Sequence, residues 1–242
     1  RERDKFHIKK HLSNATDLKD VTDDYCVLGL FGPKSRELMT NISDEDFSNE
    51  KFKFGTAKYI NVDGITIWTQ RLSYVGELGF ELYVKKNDSI KLYELLINKG
   101  KKYNISNCGM HAMDTMRMES GFLHWGHDIS PEENQYQAGL NFTISFKKDK
   151  DFIGKDTLLK IKYQNLTKRF IMLSLKESSP GKPLLLHDEP IYLDNEIIGR
   201  TTSGNYSFNY NKNLSFGYIE KNLSNNNLQD KNLFIEVAKI KY

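Results

Sequence analysis

The sequence changes character near Lys150, and this change constrains the fold more than any other feature. Beyond it, apolar residues occur in short runs of strand length, separated by loops rich in Gly, Asn and Ser, and Asp194-Asn195 fits a tight hairpin turn. The predicted strands cover residues 169–175, 190–193, 196–199, 215–219 and 233–238, and residues 224–227 are predicted to be a polar loop. Short strands joined by such turns are typical of a small antiparallel barrel or sandwich.

The part of the chain before Lys150 mixes helices with strands, so the sequence as a whole predicts an α+β fold. Asp63-Gly64 is a hairpin signal within the strand region 58–70, and Ser35 is a plausible N-cap. The remaining strands are predicted at 25–30 and 71–84, and the helices at 1–12, 35–40, 88–99 and 110–119. We expect two domains, residues 1–147 and residues 148–242.

The composition is that of a globular chain. Of the 242 residues, 28% are charged and 12% are aromatic, and the net charge is only +3. Charges of both signs are interspersed, which gives no indication of nucleic-acid binding. No apolar run reaches membrane-spanning length, and no signal peptide is recognisable. Two cysteines far apart in the sequence fit a reducing compartment, which predicts a cytoplasmic protein, or a mitochondrial-matrix protein in a eukaryote.

Two motifs give the strongest indication of function. Residues 73–83 read S-Y-V-G-E-L-G-F-E-L-Y, and residues 124–129 read H-W-G-H-D-I, between a helical stretch and an acidic loop. In these motifs the chain resembles the folate-binding aminomethyltransferase family, the glycine-cleavage T-protein and its relatives. The second motif resembles most closely the C-terminal half of the dimethylglycine and sarcosine dehydrogenases. The resemblance covers nearly the whole chain.

The resemblance implies both a fold and a chemistry. The implied fold is a T-protein-like core, a ferredoxin-like and Greek-key sheet with helices, followed by a C-terminal antiparallel β-barrel. The implied cofactor is tetrahydrofolate, which would capture the carbon of an N-methyl amine, or of its iminium, as 5,10-methylenetetrahydrofolate. This makes the chain part of a folate-dependent aminomethyltransferase and N-methyl amine dehydrogenase.

The chain starts at Arg1 without a methionine, and we interpret it as a piece of a longer polypeptide. FAD is expected only in a flavin domain of that parent, because no G-x-G-x-x-G follows a strand here. The catalytic Asp of the resembled family has no counterpart in this sequence. We therefore leave the catalytic residue unassigned and expect this piece alone to be inactive.

Glu77 is the first candidate for folate binding. A carboxylate on an apolar strand is costly to bury without a partner, and Gly76 and Gly79 beside it leave space for a flat ligand. By its match to the family motif, Glu77 is expected to accept two hydrogen bonds from the pterin, whereas spacing alone favours a surface glutamate in a hairpin or bulge. Tyr74 and Trp125 are the other candidate folate contacts, and core packing is the alternative for Tyr74.

The helix and turn around the second motif offer further groups. Asp114 and Arg117 stand three residues apart on the predicted helix, and we expect a structural salt bridge. His124, His127 and Asp128 invite a metal hypothesis, but a turn centred on a glycine does not direct them to one point. We predict no metal site, and we expect His127 to form hydrogen bonds within the protein while His124 points elsewhere.

Two other functions stay open at this point. One is a stand-alone T-protein-like aminomethyltransferase or demethylase, although Met113 stands where those relatives carry an arginine that reaches folate. The other is a non-catalytic folate-binding module, although its K-G-C-x-x-G-Q motif is absent. The segment G-P-K-S-R at residues 32–36 could bind an anion at a helix N-terminus, and the resemblance favours a structural turn instead.

Overall fold

A computed structural model describes residues 1–220 and 232–242, so the predicted loop at 224–227 lies outside the described residues. The chain divides into two compact units, residues 1–107 and residues 108–242. The domain boundary predicted between residues 147 and 148 lies inside the second unit and stays a prediction. None of the helices in the described ranges has the length and apolarity that a membrane span requires.

The first unit contains one antiparallel sheet with helices. Its helices are α1 (Glu2–His11), α2 (Ser35–Ile42) and α3 (Ser89–Gly100), and its strands are β1 (Tyr25–Phe31), β2 (Ala57–Val62), β3 (Ile65–Gln70) and β4 (Gly79–Lys85). The strands lie in the order β1-β4-β3-β2. Alternate residues of β2, β3 and β4 are buried, as the period of a half-buried strand requires.

The core of this unit lies on the side of the sheet that α2 and α3 cover. Three phenylalanine rings, Phe47, Phe52 and Phe80, contact one another with centroids 5.5–6.0 Å apart. The predicted hairpin at Asp63-Gly64 is confirmed, because both residues have the positive φ that such a turn needs (48° and 80°). Two other expectations are wrong: Ser35 is the first helical residue of α2 rather than its N-cap, and residues 71–78 form a loop rather than a strand.

The second unit contains a six-stranded antiparallel sheet with two helices. The helices are α4 (Met110–Glu119) and α5 (Lys155–Ile161), and the strands are β5 (Arg169–Ser174), β6 (Pro190–Leu193), β7 (Glu196–Ser207), β8 (Lys212–Ile219), β9 (Leu233–Val237) and β10 (Ile240–Lys241). The strand order is β10-β9-β6-β7-β8-β5, and α4 packs on β7 and β8. The predicted α+β class is confirmed, but the sequence patterns do not predict α5, and β7 is much longer than the predicted strand at 196–199.

Candidate functional site

Glu77 lies in the loop of residues 71–78, which joins β3 to β4. The end of this loop is fixed by the carbonyl oxygen of Leu78, which accepts hydrogen bonds from Gly32 N (2.8 Å) and from Ser35 Oγ (3.1 Å). Its start is fixed by Arg71, whose Nη1 donates to the carbonyl oxygen of Phe52 at 2.5 Å. The loop is therefore held at both ends.

Residues 73–76 explain why this segment is not a strand. Ser73 Oγ accepts a hydrogen bond from Val75 N, which bends the chain, and Gly76 adopts a φ of 76°. A left-handed residue interrupts an extended strand. Tyr74 and Glu77 therefore do not lie on the predicted strand, and Tyr74 is half-buried in the loop.

The Glu77 side chain is exposed, and its carboxylate forms no hydrogen bond or ion pair with the residues that the structure describes. An ionised carboxylate is an acceptor only, with two oxygens that can receive two parallel N–H groups. The anchored loop thus presents an exposed pair of unused acceptor oxygens. This arrangement suits a ligand with two adjacent donors.

Trp125 lies in the H-W-G-H-D turn of the second unit. The turn is closed by hydrogen bonds from Asp128 N to His124 O and from Gly126 N to Ile129 O, both 2.8 Å long. Gly126 has a φ of 91°, a conformation that strongly favours glycine. The Trp125 side chain is 61% exposed, so its ring offers a flat apolar surface.

A buried ion pair between Arg117 and Asp128 holds this turn. Both residues are 1% exposed, and Arg117 Nη1 donates to Asp128 Oδ2 at 2.5 Å. Arg117 also donates to Asp114 Oδ1 (2.7 Å), as predicted, and to the oxygens of Phe122 (3.0 Å) and Ser203 (2.8 Å). Charges so deeply buried are tolerated only when their hydrogen-bonding capacity is met, and here it is.

An irregularity in β7 completes the Asp128 environment. Asp128 Oδ1 accepts hydrogen bonds from Thr202 Oγ1 (2.6 Å) and Ser203 Oγ (2.7 Å), which are neighbours in sequence. Adjacent residues of a regular strand point to opposite faces. The register of β7 with β8 shifts between Thr201 and Ser203, and such a bulge lets both hydroxyls reach one carboxylate.

A second charged group lies beside this turn. Glu133 accepts hydrogen bonds from Lys168 Nζ (2.6 Å) and from the amide and hydroxyl of Ser130 (2.8 and 2.7 Å). Burial alone would raise the pKa of Glu133, but these bonds outweigh it and hold the pKa below its ordinary value. Burial, followed by the charges of Glu133 and Asp128, raises the pKa of Tyr218, which therefore stays a neutral donor to the Asp128 carbonyl oxygen (2.8 Å).

The histidines of the turn are arranged differently from the expectation. The rings of His124 and His127 lie against each other with centroids 4.6 Å apart, so the prediction that His124 points elsewhere is wrong. The prediction that the His127 ring forms hydrogen bonds is also wrong, because it forms none with the residues that the structure describes. Within residues 1–220 and 232–242, no group of three or more His, Cys, Asp and Glu side chains could hold a metal ion. The Asp128 carboxylate is occupied by Arg117 and the two β7 hydroxyls instead.

Sequence reasoning found the exposed candidates but missed the buried pair. Glu77 and Tyr74 belong to the first unit, and Trp125 belongs to the second. Helix spacing predicts the Asp114 partner of Arg117 three residues away, but the more deeply buried partner, Asp128, lies eleven residues away across a turn. The sequence does carry one signal, because an arginine between two methionines in M-R-M is expected to be buried when its helix packs on a sheet, and a buried charge is costly unless it is paired.

Comparisons with known proteins agree with this architecture. Residues 1–148 match the family model described as the GCVT N-terminal domain, and residues 168–242 match that of the Glycine cleavage T-protein C-terminal barrel domain. The chain also resembles the solved structure of glycine cleavage system aminomethyltransferase T from Bartonella henselae, with a TM-score of 0.75 over 90% of this chain and 56% of that one. At 20% identity that likeness shows the fold alone.

Curated relatives include both dehydrogenases and aminomethyltransferases. Mitochondrial dimethylglycine dehydrogenase of Homo sapiens is 36% identical over 86% of this chain, and mitochondrial sarcosine dehydrogenase of Mus musculus is 33% identical over 84%. The aminomethyltransferase of Symbiobacterium thermophilum is 33% identical over 84% of this chain. The chain spans only 24%, 22% and 53% of the length of these three relatives.

Proposed function

The chain belongs to the glycine-cleavage T-protein family, and on that premise we propose that it is the tetrahydrofolate-binding, one-carbon-transfer portion of a dimethylglycine or sarcosine dehydrogenase-like protein. The parent would oxidise an N-methyl amine on a flavin domain that carries FAD. The iminium would then reach this portion, and its carbon would leave as 5,10-methylenetetrahydrofolate. Tetrahydrofolate, when bound, would supply the two nitrogens that take up the carbon, and the demethylated amine would be released as the bond between its nitrogen and that carbon breaks.

The unpaired carboxylate of Glu77 is the observation that carries this proposal. A reduced pterin presents an amino group and a ring N–H side by side, and a carboxylate with two free oxygens accepts both. The hydrogen bonds at the two ends of the loop hold the backbone that carries Glu77, which limits the backbone entropy lost on binding. The donor set of the pterin therefore fits the residues present.

Tyr74 and Trp125 are proposed as further folate contacts. The exposed Trp125 ring offers an apolar face of the kind on which an aromatic ligand stacks. The buried Arg117–Asp128 pair would act indirectly, because it holds the turn that carries Trp125.

Calorimetric titration of the chain with tetrahydrofolate tests the role of Glu77. Glu77→Gln keeps the shape of the side chain but replaces one acceptor oxygen by a donor and removes the charge. We expect it to weaken tetrahydrofolate binding by about 30-fold or more, which corresponds to roughly 2 kcal/mol for a charge-assisted pair. Glu94→Gln is the matched control, because Glu94 is an exposed residue of α3 in the same unit.

The two variants separate the possible results. If Glu77→Gln binds tetrahydrofolate with unchanged affinity, Glu77 is not part of the site. If Glu94→Gln loses as much affinity as Glu77→Gln, the loss is caused by the change in net charge and not by a contact of Glu77. A wild-type chain with no measurable affinity for tetrahydrofolate would contradict the proposed function itself.

A further inference from the structure

Two guanidinium groups of the first unit share one hydrogen-bond acceptor. Arg36, at the start of α2, donates from Nη2 to Asn49 Oδ1 at 2.6 Å. Arg71, after the end of β3, donates from Nη2 to the same oxygen at 2.8 Å. Two cations thus meet at a single neutral oxygen.

The arginine pair has no acidic hydrogen-bond partner among residues 1–220 and 232–242. Neither guanidinium forms an ion pair there, and the other acceptor is the carbonyl oxygen of Phe52, which Arg71 contacts. The Nε atoms of Arg36 and Arg71 are buried and have no hydrogen-bond partner there. Burial, and then the charge of Arg36, lower the pKa of Arg71, while Glu50 acts in the opposite direction.

The positive charges of Arg36 and Arg71 lie close together and repel each other. Like charges that meet in a partly buried place repel each other more strongly than they would in water. A neutral amide oxygen accepts hydrogen bonds from both groups but cancels neither charge. Arg36 and Arg71 are both partly exposed rather than fully enclosed. The planar forks of two arginines match the oxygens of an oxyanion.

We propose that Arg36 and Arg71, with Asn49 between them, form a binding site for an oxyanion, carried by a phosphate group or by a carboxylate. Arg36 belongs to the G-P-K-S-R segment. Gly32 N and the Ser35 hydroxyl of this segment donate hydrogen bonds to the carbonyl oxygen of Leu78, so the segment has a structural role and also supplies a residue of the proposed site. The site rests on these contacts alone and does not depend on folate binding.

Asn49→Asp is the sharpest test. It keeps the side-chain shape and supplies a permanent carboxylate at the point where the two cations meet. We expect it to raise the unfolding temperature at low salt by about 2–4 °C. We also expect it to weaken binding of inorganic phosphate and of succinate by at least tenfold, because the charge that attracts them is already neutralised. Binding is measured by calorimetry and by the NMR signals of the arginine Nε–H groups.

A second variant and a control complete the experiment. Arg36→Gln should also weaken binding at least tenfold, and it carries the test if Asn49→Asp fails to fold. Lys34→Gln removes the same charge from a neighbouring exposed side chain and should change the affinity less than twofold. A preference for phosphate or for succinate identifies the class of the natural oxyanion.

Three results would overturn the site. They are the absence of saturable binding in the wild type, an equal loss of affinity in Lys34→Gln, and unchanged affinity in a folded Asn49→Asp chain. The second of these would mean that diffuse positive charge, rather than the arginine pair, attracts the anion.

Discussion

At the scale of single residues, the second unit depends on how Asp128 is surrounded. Its two carboxylate oxygens receive hydrogen bonds from Arg117, from the amide of His124 and from the hydroxyls of Thr202 and Ser203. Arg117 in turn lies 5.2 Å from the ring centroid of Phe216. Neither charge has access to water, so each is tolerated only because the other is present.

We predict that Asp128→Ala destabilises the chain by about 3–5 kcal/mol, because it leaves the Arg117 charge buried with only Asp114 as an acidic partner. Replacing Arg117 and Asp128 together by apolar residues should cost less than the two single changes combined. Urea unfolding followed by circular dichroism measures these differences. The exposed loop residue Glu177 serves as the control, and Glu177→Ala should shift the unfolding free energy by less than about 0.5 kcal/mol. A near-neutral Asp128→Ala would mean that water reaches Arg117 in solution.

At the scale of elements, turns specified by local sequence were predicted and elements shaped by distant partners were not. The hairpins at Asp63-Gly64 and Asp194-Asn195 depend on residues that tolerate positive φ, which is a local property. The extension of β7 to Ser207 was missed because this part of the strand is polar. The hydroxyl groups of this part of β7 donate hydrogen bonds to carboxylates that lie outside the strand. Ser207 Oγ, for example, donates to Glu119 of α4 at 2.6 Å. No local pattern contains that information.

The turn of residues 130–133 is tied to the start of β5 by one ion pair, and this contact predicts a pH dependence. Glu133 has a pKa below its ordinary value of 4.5 in the folded chain, so the ionised form is stabilised by folding. The resulting stability is present at neutral pH and is lost as the pH falls below about 4.5 toward the lower folded value. In Glu133→Gln this part of the acid dependence should disappear. Unfolding free energies between about pH 3 and pH 7 measure it, and parallel curves for the two chains would refute the assignment.

At the scale of the whole molecule, the sequence predicted the family and the α+β class, and the family models and relatives confirm both. It predicted the candidate site less completely. The apolar residues that flank V-G-E-L-G predict a strand at Glu77, but Gly76 and the contacts of Leu78 make that segment a loop. The Asn49 contact of Arg36 and Arg71 joins residues 13 and 22 positions apart, which no spacing rule reveals.

The proposed function also makes a prediction for the whole chain. A ligand that binds only the folded state raises stability by mass action, by about 2.7 kcal/mol at 100 times its dissociation constant. For a chain of this size, tetrahydrofolate at that concentration should raise the unfolding temperature by roughly 5–10 °C. FAD at the same concentration should leave the temperature unchanged, because the chain lacks a dinucleotide-binding glycine motif. Glu77→Gln should need about 30-fold more tetrahydrofolate for the same shift. A shift of equal size with FAD would mean that the chain binds flat aromatic ligands without selecting the pterin.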